Sequence, residues 1–451
     1  MLYCNKLKHF FLLFIAGIFM QQNVQAQGCV DTIVSKQFDV ENFGGTFWGG
    51  TNYQDSLGNL YLLGRRYTPP NPNQTGNLKN TLVKFGVDKK IIWSKSYQGS
   101  IGFDDFAVFR TTIGQDKDQN LYYVARGNFG GIANLNNQNF LKLDSSGNIL
   151  ANKLMVRQTP PLQGVGFRGI NSSPKVFSTL ISSYTGTNGI FTFAAVDKDL
   201  TIIRWSKWYR PSFNNFISSN GYYSVELDDT TAIITNILNY KNPLIVNDTI
   251  YTFNLVKINS LTGNIIAQKS YSCFSTLNPN KSFTIFPLPV NINYDTKEVV
   301  YQFKRASNNG TAYSLLKIDD NLNIINSANY LTTTAFITYN FNPINSNDII
   351  LNATYPDNGV TKFATINWNN NLQLLSQRAY YSNQFTGNSY YVNLTSKNTN
   401  NTFNYFITTN GLFIQNDNPI YLFDNTKNPN FEFDCADKAT DLFSPVAECY
   451  L

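Results

Sequence analysis

Histidine is almost absent from this sequence. The one histidine among 451 residues is His9, which lies in an N-terminal segment that we expect to be removed. The remaining chain therefore excludes Ser-His-Asp and Cys-His catalytic arrangements, and it excludes metal sites with histidine ligands. An enzyme would have to use carboxylates, Tyr, Lys or Arg as its acids and bases. We expect no catalytic residue set, no metal site and no cofactor.

Long apolar runs are also scarce, and the one at the N-terminus has the layout of a signal peptide. Lys6 and Lys8 precede an apolar run over residues 10–19, and small residues at Val24 and Ala26 suit cleavage after position 26. The run is shorter than the ~20 residues that a membrane span needs, and no later stretch is apolar enough. We therefore predict a signal peptide at residues 1–26 and an exported protein that is periplasmic, on the cell surface or extracellular. A membrane anchor and a lipoprotein modified at Cys29 are the alternatives.

Charged residues are few and scattered. They make up 14% of the chain, the formal net charge is +6, and Lys and Arg form no block of five or six. Nucleic-acid-binding and membrane-surface proteins usually carry such blocks, so we expect neither nucleic acid nor a transmembrane span. The partner that we expect is an unknown protein or glycan.

Cysteine is rare, and its spacing excludes a Cys-x-x-Cys metal or redox site. Outside the signal peptide, the cysteines are Cys29, Cys273, Cys435 and Cys449. Cysteines of exported proteins can pair, and four of them allow three connectivities. A bridge from Cys29 to Cys435 would join the two ends of the chain, and a bridge from Cys435 to Cys449 is the alternative.

A degenerate repeat runs along the chain. Each unit combines an Asp- or Asn-containing turn, a strand with a central Lys and a strand that ends in Tyr, and 58 residues separate Lys84 from Lys142. A further 60 residues separate Lys257 from Lys317. Several short strands in a unit of this length predict an all-β fold, a β-propeller of about seven four-stranded blades over residues 27–435, followed by a tail at 436–451. An array of β-sandwiches is the alternative.

The two ends of such a ring must meet. Residues 30–38 alternate apolar and polar side chains before the first full repeat. We predict that this strand pairs into the last blade, because a propeller blade packs between neighbours and the ring has to close.

The first repeat also resembles a known family. Residues 55–61, 82–85 and 91–99 read DSLGNLY, LVKF and IIWSKSYQG, and residues 99–105 read GSIGFDD. These motifs are similar to the propeller repeats of exported proteins from gliding and type IX-secreting bacteria. The resemblance covers most of the chain, and its motifs imply a fold and carry no activity. Many members end in a sorting or adhesion-associated domain, which this sequence does not show.

Two groups of residues are candidates for ligand binding. Arg65, Arg66 and Tyr67 open an insert that breaks the repeat at residues 65–80. The second group combines guanidinium and aromatic side chains, which suit a sugar or an anion, and consists of Arg204, Trp208 and Arg210. A second insert covers residues 156–174, and long loops on a rigid ring are common sites of specificity.

Acidic residues offer weaker candidates. The adjacent pairs at positions 104–105, 228–229 and 319–320 are better explained as turns, because neighbours on a strand point to opposite faces. The run Asp116-Lys117-Asp118 resembles the start of a calcium loop but lacks its glycine and distal glutamate, so we expect a hairpin. The sequence as a whole predicts a non-catalytic binding module. A carboxylate-based glycan-active enzyme and a structural subunit of a cell-surface complex are the alternatives.

Overall fold

The computed structural model describes most of the chain between residues 34 and 445. The described ranges are 34–38, 46–67, 78–97, 113–127, 137–155, 179–185, 190–209, 216–244, 249–275, 288–334, 336, 338–381, 390–397, 403–409, 420–424, 434–435 and 444–445, without positions 56, 89, 117, 197–198, 201–202, 242–243, 308–309, 346–347 and 358–359. All of their regular structure is β-strand.

The strands form seven antiparallel sheets, which we number in chain order. Sheet I contains β2 (Thr46–Gln54), β3 (Leu60–Tyr67), β4 (Leu78–Phe85) and β5 (Ile91–Tyr97). Sheet II contains β6 (Ile113–Gln115), β7 (Leu121–Gly127), β8 (Asn137–Leu143) and β9 (Ile149–Met155). Sheet III contains β10 (Thr179–Thr185), β11 (Ile190–Val196) and β12 (Ile203–Tyr209). Sheet IV contains β13 (Phe216–Glu226), β14 (Thr231–Lys241), β15 (Thr249–Asn259) and β16 (Ile265–Ser275).

The last three sheets include strands that are distant in sequence. Sheet V contains β17 (Leu288–Asn293), β18 (Glu298–Ser307), β19 (Gly310–Ile318), β20 (Ile324–Thr332) and β29 (Ser444–Pro445). Sheet VI contains β21 (Thr338–Asn345), β22 (Asp348–Asp357), β23 (Val360–Asn369), β24 (Leu374–Tyr381) and β28 (Asp434–Cys435). Sheet VII contains β25 (Tyr390–Lys397), β26 (Phe403–Thr409), β27 (Ile420–Asp424) and β1 (Val34–Phe38).

The first strands of six sheets lie next to one another around a common axis. Strand β2 adjoins both β6 and β25, and β21 adjoins β25 on one side and β17 on the other. Strand β17 in turn adjoins β13. The first and last sheets are therefore neighbours, and consecutive meanders surround one axis. This arrangement is a β-propeller, as the repeat predicts.

The N-terminal strand closes the ring. Strand β1 pairs antiparallel with β27, so that Val34 lies opposite Asp424 and Phe38 lies opposite Ile420. It is the outer strand of a sheet whose other strands come from the C-terminal part of the chain. The prediction that the N-terminal strand completes the last sheet is confirmed.

The predicted blade pattern needs correction. Five sheets have the three or four strands of an ordinary blade, and sheets V and VI have five. The prediction of about seven blades with four strands each is therefore wrong, because the sheets do not all have four strands. The extra strands arise because residues 444–445 pair with β20 and residues 434–435 pair with β24, at outer edges that a four-stranded blade would leave open. Part of the predicted C-terminal tail is thus paired with the propeller.

The core lies between neighbouring sheets. Phe253 of sheet IV contacts the rings of Tyr301 and Phe303 of sheet V edge-on, at centroid distances of 5.4 and 4.9 Å. Strand β14 is buried on both faces, so that the consecutive residues Ile233 and Ile234 are both fully buried. Each such side chain contributes about 1.5–3 kcal/mol on burial, so packing between sheets supplies the main stabilisation.

Candidate functional site

Chain direction divides the ring into two ends. Short turns connect first to second strands and third to fourth strands, for example at residues 55–59 and 144–148, and we call this end the turn face. The opposite end carries the connections from second to third strands and from sheet to sheet, and we call it the loop face. Its three longest connections are at residues 98–112, 156–178 and 276–287, and they lie outside the described residues, as does the connection at 68–77 in sheet I.

Acidic side chains at the turn face hold their own turns together. The Asp55 carboxylate accepts hydrogen bonds from the backbone N–H groups of Leu57 (3.0 Å) and Asn59 (2.8 Å), and from the Asn59 amide and the Tyr61 hydroxyl. Burial, followed by the charge of Asp55, raises the pKa of Tyr61. Such aspartates are occupied by the backbone, so they are not placed to act as acids or bases on a substrate.

The calcium-like run has the same structure. The Asp116 carboxylate accepts hydrogen bonds from the backbone N–H groups of Asp118 and Asn120, both at 2.9 Å. The Asn120 amide and the Tyr122 hydroxyl donate to its other oxygen at 3.0 Å. The predicted hairpin is present, and its carboxylate repeats the Asp55 pattern bond for bond.

A repeated contact locks each sheet to the next turn. Trp205 of sheet III donates to the backbone carbonyl of Ser260 at 2.7 Å, and its ring covers Gly263 in the turn of sheet IV. Trp93 donates to Ser145 at 3.3 Å and covers Gly147 in the same way. Both glycines have positive φ angles, of 67° and 76°, where an L-residue is strained.

One other junction reverses the sizes of the two partners. Leu322 has a φ of 64° at the corresponding turn position of sheet V, is fully buried, and lies in one cluster with Ala267. Ala267 stands four residues before Tyr271, just as Trp205 stands four residues before Tyr209. A large ring therefore faces glycine at some junctions, whereas a small methyl group faces leucine at another. The junctions conserve volume although their residues differ.

The lysines and tyrosines of the repeat complete the same junctions. Lys257 donates to the Asp320 carboxylate at 2.5 Å, and the Tyr271 hydroxyl donates to the carbonyl of Leu322 at 2.6 Å. At another junction Lys142 donates to Asp199 at 2.7 Å. The Asp319-Asp320 pair is therefore structural, since Asp319 stabilises its turn and Asp320 binds Lys257.

A repeat position that the sequence analysis missed is a β-bulge. Six sheets have a register shift at the start of β5, β9, β12, β16, β20 or β24, and the extra residues are Ile92, Leu150, Arg204, Ile266, Ile325 and Leu375. The five aliphatic side chains are each about half exposed, at 47–56%. Arg204 therefore occupies a bulge where other sheets carry an aliphatic residue. In the sequence, the bulge is marked by two consecutive aliphatic residues directly after the turn, such as Ile91-Ile92 and Ile265-Ile266.

An ion pair joins the turn-face ends of sheets IV and V. The Lys297 ammonium donates to the Asp228 carboxylate at 2.5 Å, and the N–H groups of Thr230 and Thr231 donate to its other oxygen. Burial opposes ionisation of Asp228, but these hydrogen bonds together hold its pKa well below the ordinary value. The contacts with Asp228 also raise the pKa of Lys297.

We expect the ion pair between Asp228 and Lys297 to make the free energy of unfolding depend on pH. A carboxyl whose pKa is depressed by folding stabilises the protein above its unfolded pKa, near 4, and this contribution is lost as pH falls through the folded value. Asp228→Asn should therefore lower the free energy of unfolding by about 1 kcal/mol at pH 7 and by progressively less below pH 4. Urea unfolding between pH 3 and 7 measures the difference. Asp229→Asn, at the exposed neighbouring position, is the control, and an equal loss at both pH values would contradict the assignment.

A buried polar cluster in sheet IV is fully engaged within the sheet. The Asn254 amide donates to Asn236 at 3.0 Å, and its carbonyl oxygen accepts from Gln268 (3.1 Å) and Ser270 (2.9 Å). The four side chains are joined by hydrogen bonds within sheet IV, so the cluster is a structural network.

The predicted binding residues fall mostly at the loop face. Arg65, Arg66 and Tyr67 occupy the loop-face end of β3, and Trp208 lies at the loop-face end of β12, next to Arg210 outside the described residues. Arg204 lies at the opposite end of β12, so the backbone separates it from Trp208. Sheet II stands between the two groups in chain order, and they do not form one continuous site.

The charges of the described residues are separated between the two faces. Acidic residues lie almost entirely at turn-face ends, namely Asp55, Asp88, Asp116, Asp118, Asp144, Asp199, Glu226, Asp228, Asp229, Asp295, Glu298, Asp319, Asp320, Asp348 and Asp424. Within the described ranges, the acids at loop-face ends are Asp357 and Asp434. The basic residues there are Arg65, Arg66, Lys79, Arg126, Lys241, Lys304, Arg305 and Lys362. Among the described residues, the strand ends at the loop face therefore carry more basic than acidic residues, which short-range sequence patterns do not reveal.

Some expectations lie beyond these residues. Cys29 and Cys449 are outside the described ranges, whereas Cys435 ends β28 at the edge of sheet VI. The described part of the chain contains no cluster of three or more His, Cys, Asp or Glu residues able to hold a metal ion. It likewise contains no helix with the length and apolar character needed to cross a membrane.

The fold defines the protein as a β-propeller. No protein-family model matches the sequence, and no curated protein matches it. A solved protein of unknown function from Dyadobacter fermentans DSM 18053 is 10% identical, and the match covers 86% of this chain and 99% of that chain with a TM-score of 0.41. The Nup133 β-propeller domain of Vanderwaltozyma polyspora is 11% identical over 73% of this chain and 82% of its own, with a TM-score of 0.29. A GH43_12 protein from a capybara gut metagenome is 9% identical over 84% and 82%, with a TM-score of 0.27.

Proposed function

We propose that the protein is an exported, non-catalytic binding module that takes its ligand at the loop face. The observation that supports this proposal is the different state of the two faces. At the turn face, acids such as Asp55, Asp116 and Asp320 are engaged in turns and junctions. At the loop face, the described strand ends of sheets I and II carry basic residues and no acidic residue. Loops on a rigid scaffold are common binding elements.

Export is part of the proposal. The apolar run after Lys6 and Lys8, followed by Val24 and Ala26, supports cleavage of a signal peptide. We likewise propose kinship with the exported propeller repeats of gliding bacteria, on the motifs of residues 55–61 and 82–85. Mass spectrometry of the protein from its native envelope should show Gln27 as the N-terminal residue.

Binding should depend on the loop face. We expect the mature protein to be retained by purified native envelope, and we expect Arg65→Ala combined with Arg126→Ala to reduce that retention. The matched control at the turn face is Lys90→Ala, which removes an exposed cation that pairs with Asp88. Retention that the loop-face variant leaves unchanged, or release of sugar products from the envelope by the protein, would contradict the proposal.

A further inference from the structure

One long strand closes each sheet at the circumference of the ring, and we call these seven the rim strands, namely β1, β5, β9, β12, β16, β20 and β24. Charged side chains on an edge strand, Lys above all, deter pairing with another chain. Six rim strands contain Lys or Arg. Strand β20 of sheet V reads IINSANYLT and contains no charged residue. Among the rim strands that the structure describes, β20 alone therefore lacks this protection.

The outer side of β20 is only partly covered. Residues 444–445 form β29 beside Tyr330 and Leu331, at the loop-face end of the strand. Within the described part of the chain, no strand pairs with the outer side of residues 324–328. The edge of sheet V thus already holds a segment that is distant in sequence, and an open stretch of the same edge continues from it toward the turn face.

The backbone of the open stretch directs a donor to the edge. The N–H group of Ser327 donates to the side-chain carbonyl of the preceding Asn326 at 2.8 Å, outside the ladder with β19. The Asn326 amide in turn donates to the backbone carbonyl of Asn371 in sheet VI at 2.9 Å. A neighbouring side chain therefore satisfies a backbone group that an added strand could bond instead.

The side chains of the open stretch suit an uncharged segment. Ile325, the residue of the β-bulge, is 47% exposed, and Ser327 is also exposed. Ala328 packs against the core between sheets V and VI. Side chains that lie beside one another on neighbouring strands stabilise a sheet when they are both aliphatic or aromatic. The stretch is therefore matched by an extended segment that places an aliphatic or aromatic residue beside Ile325.

We infer that residues 324–328 form a docking edge, to which an extended, uncharged segment of a partner protein adds as an antiparallel strand next to β29. Main-chain hydrogen bonds supply the affinity in strand addition, and alternate side chains supply the specificity. The docking edge lies on the circumference of the ring. It is a second interaction surface, separate from the loop face on which the proposed function rests.

Fluorescence anisotropy of a labelled peptide on the mature protein tests the inference. The probe is the peptide KTVTVTVTK, which alternates the strand-forming residues Thr and Val between two lysines that keep it soluble. The control peptide has proline in place of the two central threonines, because proline has no N–H group to donate to a neighbouring strand. We expect the probe to bind and the control peptide not to bind.

Matched variants locate the probe on the ring. Ile325→Lys places a charge on the docking edge and should raise the dissociation constant of the probe about tenfold. Ile266→Lys is the control at the equivalent bulge of β16, where the isoleucine is 51% exposed, and it should change the constant less than about twofold. Ser327→Pro removes the N–H group that bonds Asn326 and should weaken binding as Ile325→Lys does. Thermal unfolding of each variant verifies that it folds.

Several results would overturn the inference. These are no binding of the probe, equal binding of the two peptides, or equal loss of binding in Ile325→Lys and Ile266→Lys. Binding that requires deletion of residues 446–451 would assign the edge to this chain, and a dimer that Ile325→Lys dissociates would assign it to a second copy. Envelope retention that depends on Arg65 and Arg126 is measured separately, so the proposed function can stand when this inference fails.

Discussion

A protein carrying Gly263→Leu is expected to lose more than about 3 kcal/mol of its free energy of unfolding. A Cβ atom at this position would lie 2.6 Å from the Trp205 ring, and the φ of 67° adds strain for any L-residue. Trp205 is held by its hydrogen bond to Ser260 and cannot turn away without breaking it. Urea unfolding of the mature protein measures the loss.

The partner substitution makes the prediction specific. Trp205→Ala alone should cost about 3–5 kcal/mol, because a buried ring is removed. The double variant with Gly263→Leu recreates the pairing of Ala267 with Leu322, so it should be more stable than the sum of the two losses by about 2 kcal/mol. Leu261→Ala, at an exposed position of the same turn, is the control and should have little effect. Strictly additive losses would show that the two junction types are not interchangeable.

Removal of the N-terminal strand is expected to have the other large effect. A mature protein that begins at residue 39 lacks β1, which leaves β27 as an open edge and the ring without its closure. We expect a loss of several kcal/mol in the free energy of unfolding and a tendency to aggregate. Chemical unfolding and light scattering of the purified protein measure both changes.

The control truncation begins at residue 34 and keeps all of β1. It should unfold like the intact mature protein, and a peptide of residues 30–40 added to the shorter variant should restore part of the lost stability. If both truncated proteins unfold alike, the pairing of Val34 with Asp424 does not close the ring.

Much of the fold was predictable because the repeat residues are the ones that make the junctions. The spacing of Lys84 and Lys142, and of Lys257 and Lys317, marks the third strands. Lys142 and Lys257 each bind an aspartate of the next sheet, so this spacing reflects a recurring contact. The N-terminal strand was predictable from its alternation and from the need to close the ring.

The details of the junctions were not predictable, because they depend on pairs of residues from different repeats. Trp205 is matched to Gly263, and Ala267 to Leu322, across more than fifty residues of sequence. When the repeats are aligned, each of these two positions varies between large and small residues. The alignment does not show that a large residue at one position contacts a small residue at the other. The extra strand at residues 434–435 was also unpredictable, since two residues carry no periodic signal.

The candidate site was predictable only in part, for a related reason. Sequence reasoning selected Arg65, Arg66 and Tyr67 because they open an insert. It did not include Lys79 or Arg126, because the two ends of the ring become distinct only when strand directions are known. Arg204 was grouped with Trp208 because guanidinium and aromatic side chains together suit a sugar or an anion, although the two residues lie at opposite ends of β12.

Hydrogen–deuterium exchange of the protein, with and without an excess of purified native envelope, tests the central claim most directly. Ligand binding at the loop face predicts slower exchange in peptides that contain the ends of β3, β4 and β7, at residues 64–67, 78–80 and 125–127. The turns at residues 55–59, 116–120 and 144–148 should exchange at the same rate in both samples. Protection confined to those turns would contradict the claim and place the ligand at the opposite face.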